Sequence, residues 1–376
     1  MKPFTPPFCA SPQCIHHIPD GAAPYTAFIA WGSYSTNAFG EVLRFRCTLC
    51  GATFSQQTFS ADYYAKRVLD YEDISRRLSS CESLSAIARA HRASTDTISN
   101  RISRASRQAL AFESEQASTR CPKEDLAADG FESFCRSQFF PNNITILVGS
   151  ASQFVYAADH TTLRRKGRMT EAQKARRAGL DRLHRPGPKG IAKSFARVAG
   201  ESLRVLSDGC RPALTLWTDE HQAYPRAIGD SPCLAALRDE GRITHRCISS
   251  RAARTRANPL FPVNYLDREL RKDLHEHVRE TVCFGRNVNR QMERLTLYLW
   301  WHNYRKLHRA RGDPRSHAEV AGYDPLRIKE GQRSIWRSRA WLSLTDLTES
   351  MRDTWLRARE SLQWHRIDYL PNFARA

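Results

Sequence analysis

Apolar and polar positions change rhythm several times along the chain. Residues 1–60 scatter apolar side chains among prolines, cysteines and aromatics, with strand-like runs at Tyr25–Trp31 and Leu43–Phe45 and little helical periodicity. Residues 61–112 switch to a helical pattern. Within Leu84–His91, positions 84, 87, 88 and 90 form one apolar face, and Arg92-Ala93-Ser94 supplies a turn with an N-cap at Ser94. A second helix follows from Thr95 to Arg107, with Ile98, Ile102 and Ala105 facing inward. The polar stretch 113–124 reads as a linker.

From Asp125 onward, short apolar runs alternate with helices. The runs are Leu126–Phe134, Ile144–Gly149 and Phe154–Ala158, then a helix at Ile191–Leu206 and the run Ala213–Thr218. Three strands, a helix and a fourth strand predict a mixed α/β layer over 125–305, interrupted by a basic insertion at 160–190. The pattern is helical again from Val263 to Asn303. A C-terminal region, 306–376, carries Trp336, Trp341, Trp355 and Trp364 on further helical segments. A chain of 376 residues is expected to hold two or three domains.

Charge narrows the partner. Lys and Arg number 58 against 39 Asp and Glu, leaving +19, which points to a polyanion and to nucleic acid before a membrane surface. No apolar run resembles a secretory signal or approaches the ~20 residues of a membrane span. Eleven cysteines, odd in number and unevenly spread, fit a reduced cytoplasmic protein that uses thiols as metal ligands.

Cys9 and Cys14, then Cys47 and Cys50, form two short-spaced pairs. Four thiolates satisfy tetrahedral Zn2+, and close spacing within a pair lets one turn deliver two sulfurs. Gly51, lacking a β-carbon, eases a left-handed turn beside the metal. His16 and His17 are the alternatives to Cys14, with bystander the expected role for both. A zinc so ligated organises structure and does not catalyse. In the second helix of 61–112, Thr95, Thr97, Ser99, Asn100, Arg101 and Arg104 are left pointing outward, the side-chain types that read a DNA major groove.

Acidic residues supply the candidate chemistry. Asp129 lies inside the first apolar run, where a carboxylate is costly unless paired or bound to a cation. Asp219 ends the fourth run, and ligand sites in open α/β sheets gather at strand ends. With Val263, Leu266, Leu270, Leu274 and Val278 as the buried stripe of the next helix, Asp267 lies about 40° from its centre and Glu269 about 120°, facing solvent. Three such carboxylates can hold two Mg2+ (or Mn2+) ions for phosphodiester chemistry. Plain structural roles compete: Asp129 capping a turn, Asp219 paired with Arg226 and Asp267 paired with Arg271. Asp159, ending the third run, is a rival first acid for which structural pairing is expected.

In this order, the features resemble the transposases of short bacterial insertion sequences: zinc ribbon, helix-turn-helix, then a DDE-superfamily core of RNase H-like fold. The resemblance rests on Arg44-Phe45-Arg46-Cys47-Thr48-Leu49-Cys50-Gly51, on Asp129-Gly130-Phe131-Glu132-Ser133-Phe134 and on Thr218-Asp219-Glu220-His221-Gln222-Ala223-Tyr224. The segment Leu270-Arg271 through Phe284 resembles the basic helix after the third acid. The family has Glu at that third position. Here a gapless match gives Asn264 and a match on the acid gives Asp267, with Glu269 as runner-up.

The resemblance implies Mg2+-dependent DNA cleavage and strand transfer, double-stranded DNA at element ends and target as partner, and a homodimer or larger synaptic assembly near the nucleoid. Arg164, Arg165, Lys166 and Arg168, with Arg268, Arg271 and Lys272, are the expected phosphate contacts. The alternative is a DNA-binding regulator that retains a decayed nuclease-like domain.

Overall fold

Two sheets joined by helices organise the computed structural model, which describes residues 4–18, 23–117, 122–203, 213–278, 281–309, 311–359 and 369–376. The first sheet is an antiparallel meander of β1 (Phe28–Thr36), β2 (Gly40–Cys47) and β3 (Thr53–Ser55). Phe45 and Phe54 point to its closed face, where Phe8, Phe59 and Trp341 complete a small aromatic core. Gly51 follows at φ +70, the left-handed turn that its missing β-carbon permits.

Three helices follow: α1 (Tyr71–Leu78), α2 (Leu84–Ala90) and α3 (Thr95–Ala117). Asp70 caps α1 and Ser83 caps α2, while the Thr97 N–H donates to Ser94 Oγ at the start of α3. The linker expected at 113–124 does not begin at 113, because α3 runs 23 residues and takes in Glu113–Ala117. Its apolar stripe continues through Ala105, Ala109 and Phe112, and packing of that stripe overrides the polar composition of its last turn. Ser118 and Thr119 of the expected linker lie outside the described residues, as do Arg279, Glu280 and Trp364.

The second sheet contains β4 (Leu126–Phe134), β5 (Pro141–Gly149), β6 (Val155–Thr162), β7 (Leu214–Asp219) and β8 (Ile243–Ile248), in the order β6-β5-β4-β7-β8. The first three form an antiparallel meander, whereas β7 joins β4 and β8 joins β7 in parallel. Helices α4 (Glu171–Leu183) and α5 (Gly190–Leu203) connect β6 to β7, and α6 (Ala223–Asp230) and α7 (Pro232–Asp239) connect β7 to β8. The mixed α/β layer expected from the sequence is thus a mixed five-stranded sheet with helices.

The continuous helical stretch expected over 263–303 is two helices, α8 (Phe261–Asp273) and α9 (Val288–Tyr304). Asn287 caps α9 by accepting from the Arg290 N–H, so the chain restarts there instead of continuing. Helix α8 lies against β4 and β5; α9 lies against α3. The segment likened to a basic helix therefore leaves helical geometry after Asp273.

Beyond α9 come α10 (His317–Val320), α11 (Pro325–Ser334) and α12 (Glu349–Leu356), making twelve helices among the described residues. This region straps the parts together. Trp336 stacks on Tyr71 of α1 and meets Trp300 of α9 edge-on, and Trp341 enters the first sheet's core. Trp355 lies on α12, but Trp336 and Trp341 lie outside helices. No described helix is long and apolar enough to cross a membrane.

Candidate active site and metal centre

Strand register brings two of the acids together. Leu126 of β4 pairs with Leu216 of β7, and Ala127 with Trp217. Asp129 and Asp219 each lie two residues beyond that paired stretch, and the Asp219 charge acts on the Asp129 carboxyl. Asp129 Oδ1 accepts from the Gly130 N–H at 2.7 Å and from the Tyr224 hydroxyl at 3.4 Å. Asp219 Oδ1 accepts from the His221 N–H at 2.9 Å and makes no ion pair with Arg226.

Asp267 reaches the pair from α8. Burial pushes its carboxyl up to about 7, with the Asp129 charge adding to the rise and Arg271 and Arg254 opposing it. Asp129 is pushed up to about 6, first by burial and then by the Asp219 charge. Tyr224 feels all three acids, and its hydroxyl is raised by burial and then by Asp129. Asp267 Oδ1 is buried with no hydrogen-bond partner. An anionic oxygen left in that state is costly, and a cation would relieve it.

The three acids are neighbours but not a closed cage. Among the described residues, the only three or more ligand atoms within 4.8 Å of one another are the four N-terminal thiols.

Neither runner-up for the third position joins them. Asn264 donates its Nδ2 to Leu260 O of its own helix at 2.9 Å. Glu269, expected to face solvent, is instead buried and paired with Lys272 at 2.8 Å and with Lys306. Helix α8 is covered by the sheet on one side and by the chain after α9 on another, so its buried arc is wider than one apolar stripe. Asp159 is likewise occupied: burial pushes its carboxyl up, but Arg359 and Arg197 outweigh that and hold it below the usual range.

Arg254, between β8 and α8, was not singled out from sequence, yet its charge acts on both Asp129 and Asp267. The available signal was the Arg251, Arg254, Arg256 series ahead of α8.

At the N-terminus, Cys9, Cys14, Cys47 and Cys50 converge. Cys9 and Cys50 Sγ atoms lie 3.6 Å apart and Cys14 and Cys47 Sγ atoms 3.8 Å. That is far beyond a disulfide's ~2.05 Å. It matches the sulfur spacing of about 3.8 Å that a tetrahedron with ~2.3 Å Zn–S bonds requires. Burial raises the Cys9 thiol. Burial also pushes the Cys47 thiol up, but the N–H groups of Cys50 and Leu49 and the His16 ring outweigh it, giving about 6. The four cysteines can therefore bind a metal such as zinc. His17 is engaged elsewhere, bonded to Cys9 O at 2.6 Å and Ser343 Oγ at 2.8 Å.

The expected DNA-reading residues divide. Thr95 and Asn100 are exposed at the start of α3, and Thr97 and Ser99 are half-buried. Arg101, expected to point outward, is buried and donates to Arg67 O. Arg104, also expected outward, donates to Tyr63 O at 2.6 Å with its guanidinium 4.1 Å from the Tyr63 ring centre. Both turn inward because α3 packs along most of its length.

In the basic insertion, Lys166 and Arg168 are exposed, Arg164 pairs with Asp181 at 2.6 Å, and Arg165 lies 4.8 Å over Phe139. On α8, Arg268 is exposed beside Tyr265, Arg271 donates to Glu132 O at 3.1 Å, and Lys272 is committed to Glu269. Comparison of the chain with protein-family models and with curated proteins finds no match.

Proposed function

We propose that the chain is a DDE-type transposase acting on double-stranded DNA. The observation carrying this reading is the placement of Asp129 and Asp219 on parallel neighbouring strands, near enough for their charges to interact, with Asp267 and its unpartnered Oδ1 beside Asp129. The sheet order, an antiparallel meander extended by two parallel strands, supports an RNase H-like core. Asp129, Asp219 and Asp267 would hold Mg2+ or Mn2+. Such ions, when bound, polarise a phosphodiester and lower the charge at its attacking and leaving oxygens.

The chain's own residues do the rest. Tyr224 fixes the orientation of Asp129 through its hydroxyl. Arg254 supplies positive charge beside the acids for an incoming phosphate. Lys166, Arg168 and Arg268 would grip the DNA backbone, making binding fall steeply with salt. The first sheet is read as a zinc ribbon and α2–α3 as a helix-turn-helix, with Thr95 and Asn100 as the exposed base-reading candidates at its mouth. Pairing two DNA ends calls for a homodimer or larger assembly.

The test is incubation of the full chain with supercoiled plasmid carrying candidate element ends, plus Mg2+. Nicking that Asp129→Asn and Asp219→Asn abolish, followed by joining to a second DNA, supports a transposase. Nicking without joining indicates a nuclease. Binding without nicking at any Mg2+ or Mn2+ concentration indicates the regulator.

A further inference from the structure

The N-terminal sheet has a second face that the thiol cluster does not use. Ile29 pairs with Arg46 across β1 and β2, and Arg44 pairs with Ser55 across β2 and β3, so these side chains share the side opposite Phe45 and Phe54. Trp31 sits where the β1 register shifts between Ala30 and Ser33, and the Arg46 guanidinium lies 4.9 Å from its ring centre. Tyr34 joins the same side, its hydroxyl 3.3 Å from Ser55 Oγ. Ile29, Trp31 and Tyr34 are 45%, 44% and 39% exposed, and none of them belongs to the ribbon's core.

We infer that this open face binds single-stranded nucleic acid, stacking unpaired bases on Trp31 and Tyr34 while Arg44 and Arg46 hold the phosphates. Exposed aromatics interleaved with guanidinium groups match the two chemistries of an unpaired strand, a flat π surface and a negative backbone. Duplex DNA keeps its bases stacked on one another and cannot offer them to a flat sheet. A second copy of the chain is disfavoured by charge, since facing copies would bring four guanidinium groups together. Glu41 is the one acid on β1 and β2, and it already accepts from the Ser33 hydroxyl. This inference does not depend on the acidic site or on cleavage.

The experiment is fluorescence anisotropy of the zinc-loaded full chain with short labelled oligo-dT and oligo-U, each with a duplex control. Trp31→Ala is expected to weaken binding of the single strands by about 5- to 150-fold, and Trp31→Phe to restore most of it. Duplex binding is expected to change little, and Asp219→Asn is expected to bind the single strands like the wild type. Zinc content of each variant confirms an intact ribbon. No single-strand binding by the wild type would overturn the inference, as would unchanged affinity in Trp31→Ala. So would a shift from dimer to monomer in Trp31→Ala on sedimentation without loss of single-strand affinity, since the face would then be an interface between copies.

Discussion

Replacing Asp267 with Asn should stabilise the metal-free protein at pH 8 while abolishing metal-dependent cleavage. The folded-state value of about 7 against 3.8 for a free carboxyl means that folding opposes ionisation of this acid. About three pH units at ~1.4 kcal/mol each set an upper bound of about 4 kcal/mol, and relaxation and water entry bring it to roughly 2 kcal/mol. The sign follows from proton counting. Between about 4 and 7 the folded state binds more protons than the unfolded state, so this contribution to stability falls as pH rises through that window.

At pH 8 the wild type carries the full penalty and the Asp267→Asn variant carries none. Below pH 4 the carboxyl is neutral in both states and the advantage disappears. For a domain of this size, ~2 kcal/mol corresponds to roughly 4–8 °C in Tm. Differential scanning fluorimetry at pH 8 and pH 4, with and without Mg2+, reads it directly. Mg2+ should raise the wild-type Tm and leave the variant's unchanged. Equal Tm for wild type and variant at pH 8, or the same gain at both pH values, would refute the claim that neighbouring acids and burial strain this carboxyl.

Four other outcomes test separate parts of the molecule. Metal analysis should find one Zn2+ per chain, lost in Cys47→Ser together with protease resistance of residues 4–60. Asn100→Ala should cost about 1–3 kcal/mol of discrimination at one base pair in competition binding, with unchanged Tm. Arg101→Ala should instead lower Tm, because its guanidinium is buried on Arg67 O. Arg359→Ala should destabilise by about 3–5 kcal/mol in urea titration, because Asp159, 2.6 Å away and buried, would be left without its main partner. A loss below about 1 kcal/mol would show that Arg197 alone suffices.

Sequence patterning revealed what local chemistry determines. Leu126–Phe134 is β4 end to end, and the two cysteine spacings foretold a four-thiol cluster because ligand geometry is nearly a local property. What it missed depends on distant neighbours. β8 escapes the apolar pattern because Thr244, His245 and Arg246 fall in a row at its centre and only Ile243 is fully buried. β6 runs on to Thr162 through Asp159 and His160, polar residues whose burial is made tolerable for Asp159 by Arg359, two hundred positions away. Helical angles alone turn Glu269 and Arg101 to solvent, because they cannot reveal that a helix is covered on two sides. The tryptophans at 336 and 341 had no readable role until their partners on α1, α9 and the first sheet were known.

The convergence of Asp129, Asp219 and Asp267 on divalent cations is tested most directly by diffraction from crystals of the protein soaked in Mn2+. An anomalous peak beside Asp129, Asp219 and Asp267, the residues that would hold the ion, is expected, and it should vanish in Asp219→Asn. Mn2+ sites confined to other carboxylates, with no density at these three at saturating metal, would contradict it.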